Sequence, residues 1–290
     1  MLRDLFFRVY KCAATLAFGR TLERYYPAHP LHRRLLASIR PDVTNVRGHT
    51  MYLDAVDSLL LSMRGIYEPT QTAIVERLVR PGDTVLDLGA NIGYYTLQFA
   101  KLAGKTGHVI AFEPDPISFA ILQKNIEANG YTSVTLVQRA VSNTAGILRL
   151  YCSALNRGDN RIFNSYDGRP SVYVEVVRLD DHLRDLDHVN LIKMDIQGAE
   201  GAALEGMIAL VERSPEVKIF SEFWPQGMLA CGTHPTAYLD ILTRMGFGLY
   251  EISDETGRLE STTADALLAR NSLATGSETN LLCSRQPLLV

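Results

Sequence analysis

The residues best placed to do chemistry stand at one turn, Asp87-Leu88-Gly89-Ala90-Asn91-Ile92-Gly93-Tyr94, entered from the apolar Val85-Leu86. An apolar run leading straight into such a turn predicts a buried strand passing into a helix. The glycines let backbone approach a ligand closely, and the first N–H groups of the helix point at it. Dinucleotide sites use G-x-G-x-x-G so that a pyrophosphate can rest on that helix end. Here the spacing is Asp87-x-Gly89-x-Asn91-x-Gly93. A carboxylate at the strand end repels a pyrophosphate and complements a cationic ligand instead. Glu113 follows a second apolar run, twenty residues past Gly93. An acid there can accept both hydroxyls of a ribose through charged hydrogen bonds of about 1.5–3 kcal/mol.

Strand, glycine turn, helix, strand and acid in this order suit S-adenosylmethionine and NAD alike. Asp87 and the missing glycine favour S-adenosylmethionine, which carries an ammonium, a sulfonium and a ribose. Three further carboxylates are candidates for acid–base work: Asp195 at the end of the run Asn190–Met194, Glu200 five residues on, and Glu222 after the run Val217–Ser221. Open α/β sheets gather ligands at the carboxyl ends of their strands. Asp195 is therefore the first candidate for a base that takes the proton of an acceptor hydroxyl, a contribution of roughly 10²–10⁴-fold.

Each carboxylate also has a plainer reading. Asp195 can cap the turn Gln197–Glu200, Glu200 can complement a helix dipole, and Glu222 can order the loop Phe223-Trp224-Pro225. No D-x-D spacing and no histidine companion joins them, so no metal is expected. Lys193 reads as a strand lysine reaching an acid, and His182 as a solvated histidine. Phe163, Tyr166, Phe223 and Trp224 suit either a wall for stacking a sugar ring or the core.

Positioning these groups requires alternating strands and helices. Strands are expected at Thr84–Leu88, His108–Phe112, Val134–Gln138, Asn190–Met194 and Val217–Ser221, with helices at Thr72–Val79, Tyr94–Leu102, Pro116–Asn129, near Glu200–Glu212 and near Thr236–Met245. That rhythm predicts βαβ units and a mostly parallel sheet. Leu148–Tyr151 and Val172–Val177 read as strands flanking a long polar loop, Asn156–Arg169, of a length that often carries function. Gly248–Ile252 and Thr279–Cys283 close the domain, with a surface helix and loop over Ser261–Ser277.

The chain has 290 residues, 47% of them apolar, and a formal net charge of −3. The first fifty residues hold nine Lys/Arg against three Asp/Glu, and the remainder 20 against 29. Pro27, Pro30 and Pro41 break the basic segment into helical pieces, giving an N-terminal helical extension, residues 1–50, ahead of one domain, 51–290. The arm suits a solvated face or a weak peripheral contact with an acidic membrane surface. The acidic body and the absence of an RNA-binding motif argue against a nucleic-acid partner. Four scattered cysteines signal neither a zinc site nor a disulfide framework and fit a reducing cytoplasm. No feature fixes an oligomeric state.

In these motifs the chain resembles the FkbM-type methyltransferases, a branch of the class I S-adenosylmethionine-dependent enzymes. The resemblance rests on Gly65-Ile66-Tyr67-Glu68-Pro69, Leu86–Gly93, Ala111-Phe112-Glu113-Pro114, Arg139-Ala140-Val141-Ser142 and Leu191–Glu200, and spans Tyr52 to Cys283. It implies a Rossmann-like α/β fold whose seven-stranded sheet ends in an antiparallel hairpin. It also implies methyl transfer to a hydroxyl of a sugar, glycan or polyketide-type small molecule. Carried over by position, Asp87, Gly89, Ala90, Asn91, Gly93, Tyr94, Glu113, Pro114 and Asp195 would line the cofactor, Ala140 and Val141 would flank its adenine, and Tyr67 and Glu68 would close over its methionine end. Two other functions compete: an NAD-dependent oxidoreductase, which needs the absent G-x-G-x-x-G, and a cofactor-binding module without turnover.

Overall fold

The computed structural model describes residues 6–7, 9–11, 38–154, 156–253 and 255–288. Its strands are β1 (Val43–Val46), β2 (His49–Tyr52), β3 (Thr84–Leu88), β4 (His108–Phe112), β5 (Val134–Val137), β6 (Ala140–Val141), β7 (Gly146–Tyr151), β8 (Ser171–Val177), β9 (Leu191–Met194), β10 (Lys218–Phe223), β11 (Gly248–Ser253), β12 (Arg258–Thr262) and β13 (Thr279–Ser284). Eight of them form the central sheet in the order β12-β11-β13-β10-β9-β3-β4-β5. Pairing is parallel from β10 through β9, β3 and β4 to β5. It turns antiparallel at β10–β13, β13–β11 and β11–β12.

The seven strands expected in this sheet are present, and β11 and β13 form the expected antiparallel pair. β12 is an addition to the edge, so Ser261 and Thr262 are strand where a helix or loop was expected, and the helix Ala264–Arg270 follows. The helix expected over Glu200–Glu212 is two, Glu200–Glu205 and Ile208–Glu212. Gly206 separates them and lies against the neighbouring loop: a Cβ there would come 2.2 Å from the Ser142 carbonyl oxygen. β6, β7 and β8 form a second, three-stranded sheet.

Both faces of the central sheet are covered, which is why its strands read as apolar runs. Leu86, Leu88, Ile192, Met194 and Ile219 enter one core, and Val85, Leu191 and Phe220 the other. Strand alternation then turns Asp87, Lys193 and Glu222 to the second face. The register sets Asp87 opposite Lys193. After β3 the chain runs to β4 and β5 on one side, and β9 and β10 lie on the other, so a crevice opens at the carboxyl ends of β3 and β9.

The boundary expected at residue 50 falls inside the β1–β2 hairpin. Val46 and Met51 are fully buried in the domain core. The side chains of Asn125 and Asn129 accept from Tyr52 N at 2.6 Å and Thr50 N at 2.9 Å. The segment from Val43 is therefore strand and part of the domain, not helical extension. Most of the basic arm lies outside the described residues; within them, Lys11 Nζ donates to the Ser62 carbonyl at 3.0 Å. Among the described residues no helix is long and apolar enough to cross a membrane.

Candidate active site

A cavity of about 1180 Å³ opens at this crevice. Tyr67, Glu68, Asp87, Gly89, Ala90, Asn91, Tyr94, Glu113, Pro114, Ala140, Val141, Asp195 and Glu222 all line it. Gly93 and Glu200 do not. Gly93 caps the helix Tyr94–Ala103 at φ 93, and a Cβ on it would meet Leu122 Cδ1 at 2.6 Å, so it serves the packing of that helix against Pro116–Ala128. Glu200 is fully buried and accepts from Ile196 N at 2.9 Å, which makes it the brace of the turn after β9. The expected convergence of three carboxylates thus reduces to Asp195 and Glu222.

The Asp87 carboxylate is fully buried, receives the Thr96 hydroxyl at 2.6 Å, and keeps Oδ1 without a hydrogen-bond partner. Lys193 Nζ lies 3.9 Å from that oxygen, 3.4 Å from Asp195 Oδ2, and 4.8 Å over the Tyr95 ring. Burial works against the Lys193 charge, but Asp195, Asp87 and Glu68 outweigh it and raise its pKa. It is the strand lysine reaching an acid that its sequence position suggests.

Glu113 is oriented by backbone: Oε2 accepts from Asn91 N and Oε1 from Asp115 N, each at 2.8 Å. Each oxygen retains a lone pair for a ligand hydroxyl. Burial pushes its carboxyl up to about 8 against the pull of those two N–H groups. Glu68, in left-handed backbone at φ 43, accepts the Tyr95 hydroxyl at 2.8 Å. Burial and then the Asp195 charge raise it to about 7. Burial likewise raises Glu200 to about 7. Glu222 is pushed well up by burial and by Asp195. Among the described residues no His, Cys, Asp or Glu cluster can hold a metal ion.

The four aromatic candidates separate. Phe223 is core and stacks on Tyr238 with centroids 6.3 Å apart, and Tyr166 is 90% exposed. Only Trp224 lines the cavity, with Phe163 6.0 Å behind it and the Arg161 guanidinium 4.7 Å over its ring. His182 is exposed and edges against Phe112 at 5.7 Å.

Sequence reasoning missed several lining groups. The loop after β7 carries Arg157, Asn160 and Arg161 to the cavity, and Arg157 Nη1 reaches Asp115 Oδ2 at 2.7 Å. Loop length was the available signal. Gln197, Glu278 and Asn280 also line it. Two of these come from the last strand and its approach, where no local pattern marks them. The donor set fits S-adenosylmethionine: beside Asp87 Oδ1, the Asn91 Oδ1 and Asn160 Nδ2 atoms are buried without hydrogen-bond partners.

A doubly wound α/β domain with an acid-lined crevice at its switch point is thus the class that fold and site define. Residues 87–249, more than half of the chain, match the Methyltransferase FkbM domain, and the chain belongs to that family. Methyltransferase sdnD of Sordaria araneosa is 30% identical over 155 residues, covering 42% of this chain and 60% of that protein. The 31-O-demethyl-FK506 methyltransferase FkbM of Streptomyces tacrolimicus is 32% identical over 160 residues, covering 44% and 61%. The chain spans about three-fifths of the length of these relatives. A crystal structure of Methyltransferase FkbM from Methylobacillus flagellatus KT has 16% identity and a TM-score of 0.42, covering 92% of this chain and 60% of that one. The matching domain model describes a methyltransferase rather than an oxidoreductase.

Proposed function

We propose that the protein is an S-adenosylmethionine-dependent O-methyltransferase acting on a hydroxyl of a small-molecule or glycan acceptor. The observation that carries this reading is the buried Asp87 carboxylate with its unpartnered Oδ1 on the cavity wall. Leaving a buried acceptor unsatisfied costs about 1–3 kcal/mol, more for a charged group. A ligand ammonium relieves that cost. Asp87 would hold the ammonium and Glu113 the ribose hydroxyls, with Ala140 and Val141 beside the adenine. Tyr67 and Glu68 would close the methionine end, where Tyr67 packs edge-on to Tyr94 and Tyr95.

When bound, the cofactor supplies a methyl group made electrophilic by a cationic sulfur. The chain's task is to align an acceptor hydroxyl with it and accept the proton. Alignment to about 3 Å supplies much of the acceleration. Asp195 and Glu222 are the groups positioned to take the proton, and burial, by raising the Glu222 pKa, makes that carboxylate a stronger base than an exposed glutamate. Beyond them the cavity is lined by Glu251, Ser253, Glu260, Glu278, Thr279 and Asn280. So polar a wall favours a hydrophilic, glycan-like acceptor over an apolar polyketide face.

Calorimetric titration of the protein with S-adenosylmethionine should give micromolar affinity, on the order of −8 kcal/mol. Folded protein that evolves no binding heat at millimolar ligand ends the proposal. Given cofactor tritiated in the methyl group, neutral oligosaccharides should acquire label. Binding without label transfer to any hydroxyl acceptor would identify a module without turnover.

A further inference from the structure

Gln197 holds φ 54. Residues with a side chain seldom adopt this left-handed backbone, and it persists where the surroundings impose it. The imposing contacts are visible. A Cβ on Gly198 would lie 2.5 Å from the Gly227 carbonyl carbon, and one on Gly227 would lie 2.0 Å from the Trp224 ring. Turn, helix Pro225–Ala230 and indole are therefore pressed together with no room for a side chain between them. Glu200 ties the turn from below through Ile196 N. So held, the turn carries the Gln197 carboxamide into the gap between the ends of β9 and β10. There Nε2 donates to Asp195 Oδ1 at 3.2 Å and to Glu222 Oε2 at 3.1 Å.

Two carboxylates converging on one point repel, and acid dyads reduce that repulsion by sharing a proton. A carboxamide nitrogen carries two hydrogens and has no proton to lose, so it can serve both acids at once. We propose, on the reading of this cavity as an O-methyltransferase site, that Gln197 is the positioning residue of the acid–base pair: its amide bridges Asp195 and Glu222 in place of a shared proton. The acceptor O–H proton then passes to a carboxylate oxygen as the hydroxyl electron pair forms the new bond to the methyl carbon, and the C–S pair stays on sulfur. Gln197 neither gains nor loses a proton. Glu68, Glu200, Glu278 and Tyr67 also face the pair, with Lys193 as the cation beside Asp195. In that acidic setting each hydrogen given to Glu222 favours its ionised form.

The test is the titration of Glu222, followed by carbon NMR of protein labelled at the glutamate carboxyl carbons, with the signal assigned by its loss in Glu222→Gln. Gln197→Gly removes the bridge and suits φ 54, so it will fold; the Glu222 titration should move up by about half a pH unit or more. Gln197→Glu puts a third acid there and should move it up by about one unit or more. A merely structural glutamine would leave the titration in place. If it stays within roughly 0.2 pH unit of wild type in Gln197→Gly, whether or not Gln197→Glu folds, the bridge is overturned. Calorimetry with S-adenosylmethionine on the wild type separates the two claims. No binding with the titration shifted sinks the methyltransferase reading and keeps the bridge, whereas binding with an unmoved titration sinks the bridge alone.

Discussion

Gly89 and Asp195 meet back to back at the ends of adjacent strands: a Cβ on Gly89 would stand 2.0 Å from the Asp195 carbonyl oxygen. Gly89 also has φ 81, and its N–H and that of Ala90 both reach the Phe112 carbonyl at 3.0 Å. The glycine is thus required by protein backbone before any ligand arrives. Gly89→Val should cost stability directly, about 3 kcal/mol or more from clash and strain together. In calorimetric melts that is a fall of roughly 6–12 °C for a chain of this size. An unchanged melting temperature with lost cofactor binding would restore a ligand-only role for Gly89.

Asp87→Asn preserves shape and can still receive the Thr96 hydroxyl, but it removes the charge offered to an ammonium. Losing a charged hydrogen bond of about 1.5–3 kcal/mol should weaken S-adenosylmethionine binding roughly 10- to 150-fold. Titration calorimetry reads this directly. Affinity equal to wild type would move the ammonium elsewhere in the cavity.

Stability should fall as pH rises from mildly acidic to mildly basic. Burial raises Glu113 to about 8 and Glu68 to about 7, from the 4.5 of a glutamate in water. Between those values the folded protein keeps protons that the unfolded chain has lost, so the unfolded state gains with each step up in pH. The stabilisation is complete below the unfolded value and gone above about 8. Melting temperatures across this window should decline, and Glu113→Gln should flatten its upper part. A melting temperature that climbs toward pH 8 in wild type would contradict the burial argument.

Arg157 ties the loop after β7 to Asp115, the residue that caps the helix Pro116–Ala128 by accepting from Ile117 N and Ser118 N. Arg157→Ala leaves that cap intact and frees the loop. Hydrogen exchange over residues 156–162 should accelerate, while global stability changes by only about 1 kcal/mol. Exchange at the wild-type rate would show that the loop is held by other contacts.

The turn from Asp87 to Gly93 and the acid at Glu113 were legible in the sequence because one βαβ unit contains them both. Their elements are local, their apolar runs are continuous, and glycine needs no distant context to mark a turn. The same locality made Lys193 and the Asp195–Glu200 run readable. What Gly89 and Gly93 are for was not readable, because the atoms that crowd them belong to Asp195 and Leu122, 106 and 29 positions away. Glu200 and Asp195 look alike in sequence, and packing alone put one under the turn and the other on the cavity wall. The pairing of Glu222 with Asp195 depended on β10 lying beside β9, and on a left-handed Gln197 forced by the Gly198–Gly227 contact. The strand content of Val43–Tyr52 was hidden as well, since a short mixed hairpin becomes stable only when Asn125 and Asn129 receive its backbone N–H groups. Periodicity and turn chemistry act within a dozen residues, whereas the register of distant strands and the close approach of backbones are settled only when the whole core packs.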